Sequence, residues 1–150
     1  MRIADPKLRD ALCLAGWAEE REVDISTWVQ EMEKTGYSMN SCSRLVLSSL
    51  GGLTIAPIES PEQVYQPTLT FFNPMLLKWG LRPTPVEERL GTVLSPLGEC
   101  LGDASMFIAE DSSMYAEWSG IWKRLGQDFE DSLATLIFAR KRGEQIAFYK

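Results

Sequence analysis

The segment SMFIAEDSSMYAEWSGIW, residues 105–122, constrains the fold of this chain more than any other segment. Two apolar runs flank an acidic turn at Glu110 and Asp111, and a third apolar run follows them. Short apolar runs separated by turn residues predict adjacent antiparallel strands. Between Met106 and Ala109 both faces of the first strand are apolar. We therefore expect this strand to lie inside the molecule, with its acidic exit at the surface.

Helix signals lie on both sides of these strands. Asp5 and Pro6 mark the beginning of the first predicted helix, Gly16 marks its end, and Asp128 caps the last helix. The predicted helices cover ADPKLRDALCLAGW, DISTWVQEMEKTG, NSCSRLVLSSLGG and DFEDSLATLIFARK. This order predicts an α+β fold, with a mainly antiparallel sheet flanked by N-terminal helices and a C-terminal helix. The length of 150 residues suits a single domain over residues 1–150.

Three further predictions concern helices in detail. In the third helix, the apolar spacing predicts an inward face made of Cys42, Leu45, Val46 and Leu50. Three proline-led segments each predict a short helix: SPEQVY begun by Ser60, NPMLLKWG ended by Gly80, and TPVEERLG capped by Thr84 and ended by Gly91. The basic segment 140–150 is interpreted as the last turn of the final helix, where cations suit the helix dipole.

The charge of the chain is negative and uneven. The net charge is −6, from 15 Lys and Arg residues against 21 Asp and Glu residues. Residues 1–139 hold 11 of the basic and 20 of the acidic residues, which gives −9, whereas residues 140–150 hold four and one, which gives +3. An acidic body argues against direct binding of nucleic acid, because phosphates are neutralised by Lys and Arg. It suits a basic protein partner, and it also suits solubility alone.

The cysteines and the chain's hydropathy bear on its location. Cys13, Cys42 and Cys100 are odd in number and widely spaced, which predicts reduced thiols rather than disulfides. The N-terminal sequence MRIADPKLRD lacks the apolar core of a signal peptide. No run approaches the roughly 18 apolar residues that a membrane span needs. We therefore expect a cytoplasmic protein with no membrane partner.

The residue types present exclude most catalytic chemistry. The chain has no histidine, which excludes imidazole general bases, and it has neither a Walker-type loop nor a dinucleotide-binding glycine motif. We expect no enzyme, metal or cofactor. Carboxylate chemistry stays open as an alternative, because two carboxyls at a set distance could serve a small hydrolase. The candidates near strand ends are Glu99, Asp103, Glu110 and Asp111, and roles in turns or at the surface explain the same residues.

Five motifs follow one another along the chain: ALCLAGWAEEREVDISTW at 11–28, GGLTI at 51–55, LSPLGE at 94–99, MFIAEDSSMYAEW at 106–118 and LGQDFEDSLATLI at 125–137. In this order and spacing they resemble the third group of the SUKH superfamily of immunity proteins, which is related to yeast cell-wall synthesis regulator-like domains. The segment 57–85 matches poorly. The family commonly has a glycine in the turn where Asp111, Ser112 and Ser113 stand here.

The resemblance implies an α+β fold without cofactor or catalysis. Members of the superfamily are thought to bind and neutralise polymorphic toxins of bacteria, and related members act as regulatory interaction modules. The leading hypothesis is therefore a cytoplasmic immunity protein that binds a cognate toxin stoichiometrically. A basic toxin, of the kind that acts on nucleic acid, would be steered onto the acidic chain by long-range attraction. A regulatory module without a toxin partner and a carboxylate-dependent hydrolase are the alternatives.

The residues proposed to contact the toxin come from the strand segment. Aromatic side chains that become desolvated, with charged residues around them, supply most of the affinity in many interfaces. The acidic residues and the two tryptophans of this segment fit that description. The proposed partner-binding residues are Asp103, Glu110, Asp111, Glu117, Trp118 and Trp122.

Overall fold

The computed structural model describes residues 1–77 and 83–147. Within them the helices are α1 (Pro6–Leu14), α2 (Ser26–Lys34), α3 (Ser41–Leu50), α4 (Thr84–Leu90) and α5 (Phe129–Phe138). The strands are β1 (Thr54–Ile55), β2 (Thr70–Phe71), β3 (Leu94–Cys100), β4 (Ala104–Ala109), β5 (Met114–Trp118), β6 (Ile121–Arg124) and β7 (Glu144–Gln145). The predicted α+β fold is confirmed, with helices before and after a single antiparallel sheet.

The seven strands form one sheet in the order of the chain, β1 to β7, and every neighbouring pair is antiparallel. The register places Phe107 opposite Tyr115 and Glu117 opposite Trp122. The ladder between β3 and β4 shifts between Pro96 and Gly98, which is a β-bulge that bends the strand. The central strands carry the core, and all six residues of β4 are buried. The expectation of an interior strand at 106–109 is confirmed.

The predicted caps of the first and last helices are confirmed. A carboxylate oxygen of Asp5 accepts the N–H of Lys7 at 3.0 Å, and Pro6 occupies the first helical position of α1. Asp128 accepts the N–H of Asp131 at 2.8 Å at the beginning of α5. Each contact satisfies a backbone donor that has no partner inside the helix. Helix α3 packs against β3 and β4, and α5 packs against β5 and α1.

The inward face of α3 differs from the prediction. Leu45 is 55% exposed, whereas Leu47 is fully buried beside Val46 and Leu50. Two serines occupy the inward face as well: Ser43 donates its hydroxyl to the carbonyl of Asn40, and Ser49 accepts the indole N–H of Trp17. Buried hydroxyls are tolerated when they are hydrogen-bonded. The apolar pattern assigns serines to the outward face of the helix. The predicted inward face is therefore rotated from the observed one and includes Leu45 in place of the two serines.

The segment 60–65 is a turn, and the predicted helix there is wrong. The Ser60 N–H does reach the side chain of Gln63 at 3.4 Å, as a capping box requires. The helix does not continue because carbonyls in α5 and just after it take the next donors: the Val64 N–H binds the carbonyl of Ala139, and the Tyr65 hydroxyl binds that of Thr135. Contacts distant in sequence therefore override a local helix signal.

The other two proline-led segments fold as short helical pieces. Pro74–Leu76 is a single 3₁₀ turn capped by Asn73, and the predicted end of that segment at Gly80 lies outside the described residues. Helix α4 ends at Gly91, with φ 71°, as predicted. Its beginning differs, because Thr84 is the first helical residue and makes no capping hydrogen bond. The carboxylate of Glu87 accepts the N–H of Leu94 at 2.7 Å.

The basic segment does not continue α5, and the prediction of a last helical turn there is wrong. The helix ends at Phe138, because Ala139 adopts a left-handed conformation with φ 53°. The following residues turn back and pair with β6 as β7. The carbonyl of Ala139 accepts the N–H of Val64 at 2.7 Å, so the loop 56–66 and the end of α5 fix each other.

Candidate functional site

The six proposed contact residues lie at two opposite ends of the sheet. Glu110 and Asp111 belong to the turn between β4 and β5, whereas Asp103 precedes β4 and Trp118 ends β5. A strand of six residues separates the two ends by about 17 Å at roughly 3.4 Å per residue. Nearness in the sequence is therefore not nearness in space for this set. We call the end that carries Glu110 and Asp111 the acidic end.

At the other end, two of the proposed residues serve the fold. Glu117 is only 3% exposed, and its carboxylate accepts the N–H of Gly120 at 2.9 Å across the turn between β5 and β6. Trp122 is 6% exposed, with its ring centroid 5.2 Å from that of Phe107. Side chains buried in this way offer no surface to a partner. The burial of Glu117 and Trp122 removes both from the proposed contacts.

The remaining two residues at that end are accessible. Asp103 is exposed in the turn between β3 and β4. Trp118 is half-buried, and the ammonium nitrogen of Lys123 lies 5.5 Å from its ring centroid. This distance is that of a cation–π contact. Both residues lie at the end of the sheet away from Glu110 and Asp111.

At the acidic end, the turn 110–113 is held by side-chain hydrogen bonds. Asp111 accepts both the N–H and the hydroxyl of Ser113, which is an Asx turn. Ser112 adopts φ 72°, a conformation that favours glycine. The chain thus closes the turn with Asp-Ser-Ser and has no glycine at the left-handed position.

The charge state of Asp111 follows from the same contacts. Partial burial acts to raise the pKa of Asp111, but the two hydrogen bonds from Ser113 and the guanidinium of Arg124, at 3.5 Å, outweigh it. The net result is a pKa of Asp111 below its ordinary value. The turn therefore presents a carboxylate that stays ionised at neutral pH.

On one side of the turn, three glutamates line a shallow cavity of about 330 Å³, which we call the acidic shelf: Glu87, Glu88 and Glu110. Glu110 accepts the N–H of Val93 at 3.1 Å, and Glu87 accepts that of Leu94. Among the described residues, none of the ion pairs involves these three glutamates. Backbone N–H groups thus fix two of the carboxylates without supplying a formal positive charge.

On the other side of the turn lies a groove of about 290 Å³ between α3, β4 and α5, which we call the α3–α5 groove. Its apolar lining includes Leu45, Val46, Ile108 and Phe129, and its charged lining residues are Arg2, Asp128 and Glu130. Glu130 accepts the N–H groups of Ala4 and Asp5, each at 3.0 Å. These carboxylates are again held by backbone donors.

The shelf, the turn and the groove form one surface with an excess of negative charge. Among the described residues that make it up, Glu87, Glu88, Glu110, Asp111, Asp128 and Glu130 are acidic; Arg2 and Met1, which carries the N-terminal ammonium, line the groove, and Arg124 pairs with Asp111 at 3.5 Å. Carboxylates that are already oriented lose little freedom when a partner binds, so less of the interaction energy is lost to ordering.

The arrangement does not gather the carboxylates that a hydrolase would need. Glu99 pairs with Ser105 at the end of the sheet where Asp103 lies, and Glu110 and Asp111 lie at the acidic end. The four candidates are thus split into two distant pairs. Within the described residues, no group of three or more acidic or cysteine side chains is placed to hold a metal ion.

The sequence patterns predict the turn of this surface but not its flanks. They indicate Asp128 only as a helix cap and place Leu45 on the inward face of α3. The link between them is made by tertiary contacts: the side chain of Asn40 donates to the carbonyl of Ile108 at 3.1 Å and thereby positions α3 beside β4. No signal local to the sequence places α3 and α5 on either side of Ile108.

By its fold the protein is an α+β domain with one antiparallel sheet and a preorganised acidic surface at one end. Its residues 4–138 match the model of the family described as SUKH-3 immunity protein. The chain belongs to the SUKH-3 immunity protein family, which confirms the resemblance drawn from its motifs. No curated protein and no solved structure matches the chain significantly. In the described part of the chain, no helix combines the length and the apolar character needed to cross a membrane.

Proposed function

We propose that this protein binds a cognate bacterial toxin in the cytoplasm and neutralises it by stoichiometric contact, without catalysis and without a cofactor. The observation that carries the proposal is the match of residues 4–138 to a family of immunity proteins. The acidic end supports it, because an exposed surface with oriented carboxylates and an adjacent apolar groove suits a basic protein partner.

The toxin is proposed to be basic, as toxins that act on nucleic acid often are. Opposite charge raises the rate of encounter and orients the two proteins before they touch. The protein itself does not bind nucleic acid in this proposal, because its net charge of −6 would repel phosphates. Glu110 and Asp111 are the proposed contacts at the acidic end. Asp103 and Trp118 are two further proposed contacts at the opposite end of the sheet.

The test is co-expression with the toxin domain encoded in the neighbouring reading frame. We expect the two chains to co-purify as a complex of defined stoichiometry and the protein to restore growth of cells that express the toxin. The change Glu110→Lys should weaken both the co-purification and the restored growth. Asp103→Lys should weaken them only if the toxin also contacts the end of the sheet that carries Asp103. A purified pair that neither associates nor restores growth would contradict the proposal, and binding to a different cellular protein would favour a regulatory module.

A further inference from the structure

We infer that the α3–α5 groove is the anchor point of the toxin: it takes one large apolar side chain of a segment that also carries Lys or Arg. This inference rests on the proposed function and names the part of the surface that supplies affinity.

The groove is open and apolar at its base. Ile108 is fully buried in β4 and Val46 is 3% exposed, so they form a floor that does not move aside. Leu45 stands on α3 at the wall of the groove with 55% of its surface exposed. Scattered exposed leucines are ordinary on protein surfaces. A leucine in the wall of a concave apolar cavity becomes buried when a partner's side chain fills that cavity, and this burial favours binding.

The α5 side of the groove is negative. Asp128 and Glu130 line it there, and Ser112 links the groove to the neighbouring carboxylate of Asp111, whereas the basic groups of its lining residues are Arg2 and the N-terminal ammonium of Met1. Backbone N–H groups orient the carboxylates of Asp128 and Glu130. Both carboxylates are still able to accept further hydrogen bonds. A carboxylate has lone pairs for several donors. An apolar side chain with a Lys or Arg directed toward α5 therefore matches both the floor and the acidic side of the groove.

Affinity in protein interfaces concentrates where a side chain fills a desolvated pocket surrounded by polar residues. Elsewhere on the acidic end, the shelf has three glutamates and a shallow cavity, which suits attraction over distance more than tight packing. The two parts then have different roles. The shelf attracts and orients the toxin over distance, and the groove supplies the packing contacts that hold it.

The chain offers a matched control in Leu14. This residue is 81% exposed on α1 and lines a separate groove with Ile58 and Phe138. Leu14→Arg and Leu45→Arg place the same charge on an exposed helix position, and neither removes a buried side chain, so both variants should fold. Equal thermal midpoints would verify this. We expect Leu45→Arg to weaken toxin binding by at least about 30-fold and Leu14→Arg by less than about twofold.

A second measurement uses the cysteines of the unmodified protein. All three are free; Cys42 lines the groove, Cys13 is exposed on α1, and Cys100 is buried. In the complex with the toxin domain encoded in the neighbouring reading frame, alkylation of Cys42 by iodoacetamide should slow by about tenfold or more. The alkylation rate of Cys13 should not change. The ratio of the two rates separates local cover from a general effect on reactivity.

The outcomes are distinct. The complex could form while Leu45→Arg leaves its affinity unchanged and the toxin leaves the alkylation rate of Cys42 unchanged. The inference would then be overturned, and the proposed function would stand. If the wild-type protein and the toxin domain do not associate, the proposed function fails and the inference fails with it. If the protein alone sediments as a dimer that Leu45→Arg dissociates, the groove belongs to a second copy, and the inference is again overturned.

Discussion

The indole N–H of Trp17 donates a 2.8 Å hydrogen bond to the hydroxyl oxygen of Ser49, and both residues are buried. The bond joins the segment after α1 to the last turn of α3. It gives a buried donor its partner, which is the condition under which a tryptophan can enter a core at low cost.

We predict that Ser49→Ala destabilises the protein by about 1–3 kcal/mol, because the indole N–H then has no acceptor. Urea unfolding followed by circular dichroism would measure the loss. Ser48→Ala is the matched control: the Ser48 hydroxyl only donates to the carbonyl of Leu45 one turn earlier, so its removal should change the free energy of unfolding by less than about 0.5 kcal/mol. Equal losses in the two variants would show that the buried bond contributes nothing.

A second prediction concerns Gly98 at the bulge in β3. A Cβ atom at this position would stand 1.9 Å from the carbonyl oxygen of Phe71, which is backbone and cannot move aside. Gly98→Ala should therefore cost more than about 3 kcal/mol or prevent folding. Gly102→Ala, in the turn of the same hairpin, meets no atom within 4 Å and only strains a φ of 87°. It should cost about 1 kcal/mol. Thermal unfolding of the two variants would compare them, and a Gly98→Ala protein as stable as Gly102→Ala would contradict the prediction.

The third prediction is a dependence of stability on pH. The ordinary pKa of an aspartate is 3.8, and the pKa of Asp111 in the folded protein is lower. The folded state therefore binds this proton more weakly than the unfolded state. The stabilisation from Asp111 is present above the unfolded pKa and is lost as the pH falls through 3.8 towards the folded pKa.

We expect Asp111→Asn to lower stability at pH 7 and to have a smaller effect at pH 3. The difference should stay below about 1 kcal/mol, because the side chain is exposed and solvent screens its pairing with Arg124. Thermal midpoints of the wild type and the variant at both pH values would test this. A variant that loses the same stability at pH 3 as at pH 7 would show that the effect is not electrostatic.

The fourth prediction concerns the rate of binding to the toxin. Glu88 lies exposed on the acidic shelf, so Glu88→Lys should slow association by roughly 3- to 10-fold at low ionic strength. The difference should shrink as salt is added, because salt screens charges that are separated by more than about 10 Å. Stopped-flow or surface-based kinetics would give the rates.

Glu62→Lys provides the comparison for this fourth prediction. It makes the same charge change at an exposed residue that lines the separate groove beside α1. Both variants have the same net charge, so a difference between them reports the position of the charge. Identical association rates would mean that the toxin does not approach through the acidic end.

The parts of the fold that could be predicted from the sequence are those set by local chemistry. The pair Asp5–Pro6 and the residue Asp128 predict helix beginnings, because the side chains of the two aspartates accept nearby N–H groups. The apolar run at 106–109 predicts a buried strand because both of its faces are apolar. The failures at 60–65 and 140–147 have a common cause: the Val64 N–H and the Ala139 carbonyl bind each other, and neither local pattern contains that partner.

The candidate site was less predictable because it is assembled from distant segments. Asp111 and Glu117 are six residues apart along the chain, yet β5 carries them to opposite ends of the sheet. Leu45 and Glu130 are 85 residues apart and line the same groove. Strand geometry, the arrangement of helices over the sheet and the burial of Ser43 and Ser49 decide these placements, and none of them is encoded in a short pattern.

Both outermost strands of the sheet, β1 and β7, are only two residues long. An outer strand with many unpaired backbone groups is a template on which further chains can add. Here each outermost strand offers such a template over only two residues, and β7 carries the charged Glu144. These two strands are therefore poor templates for the addition of further chains.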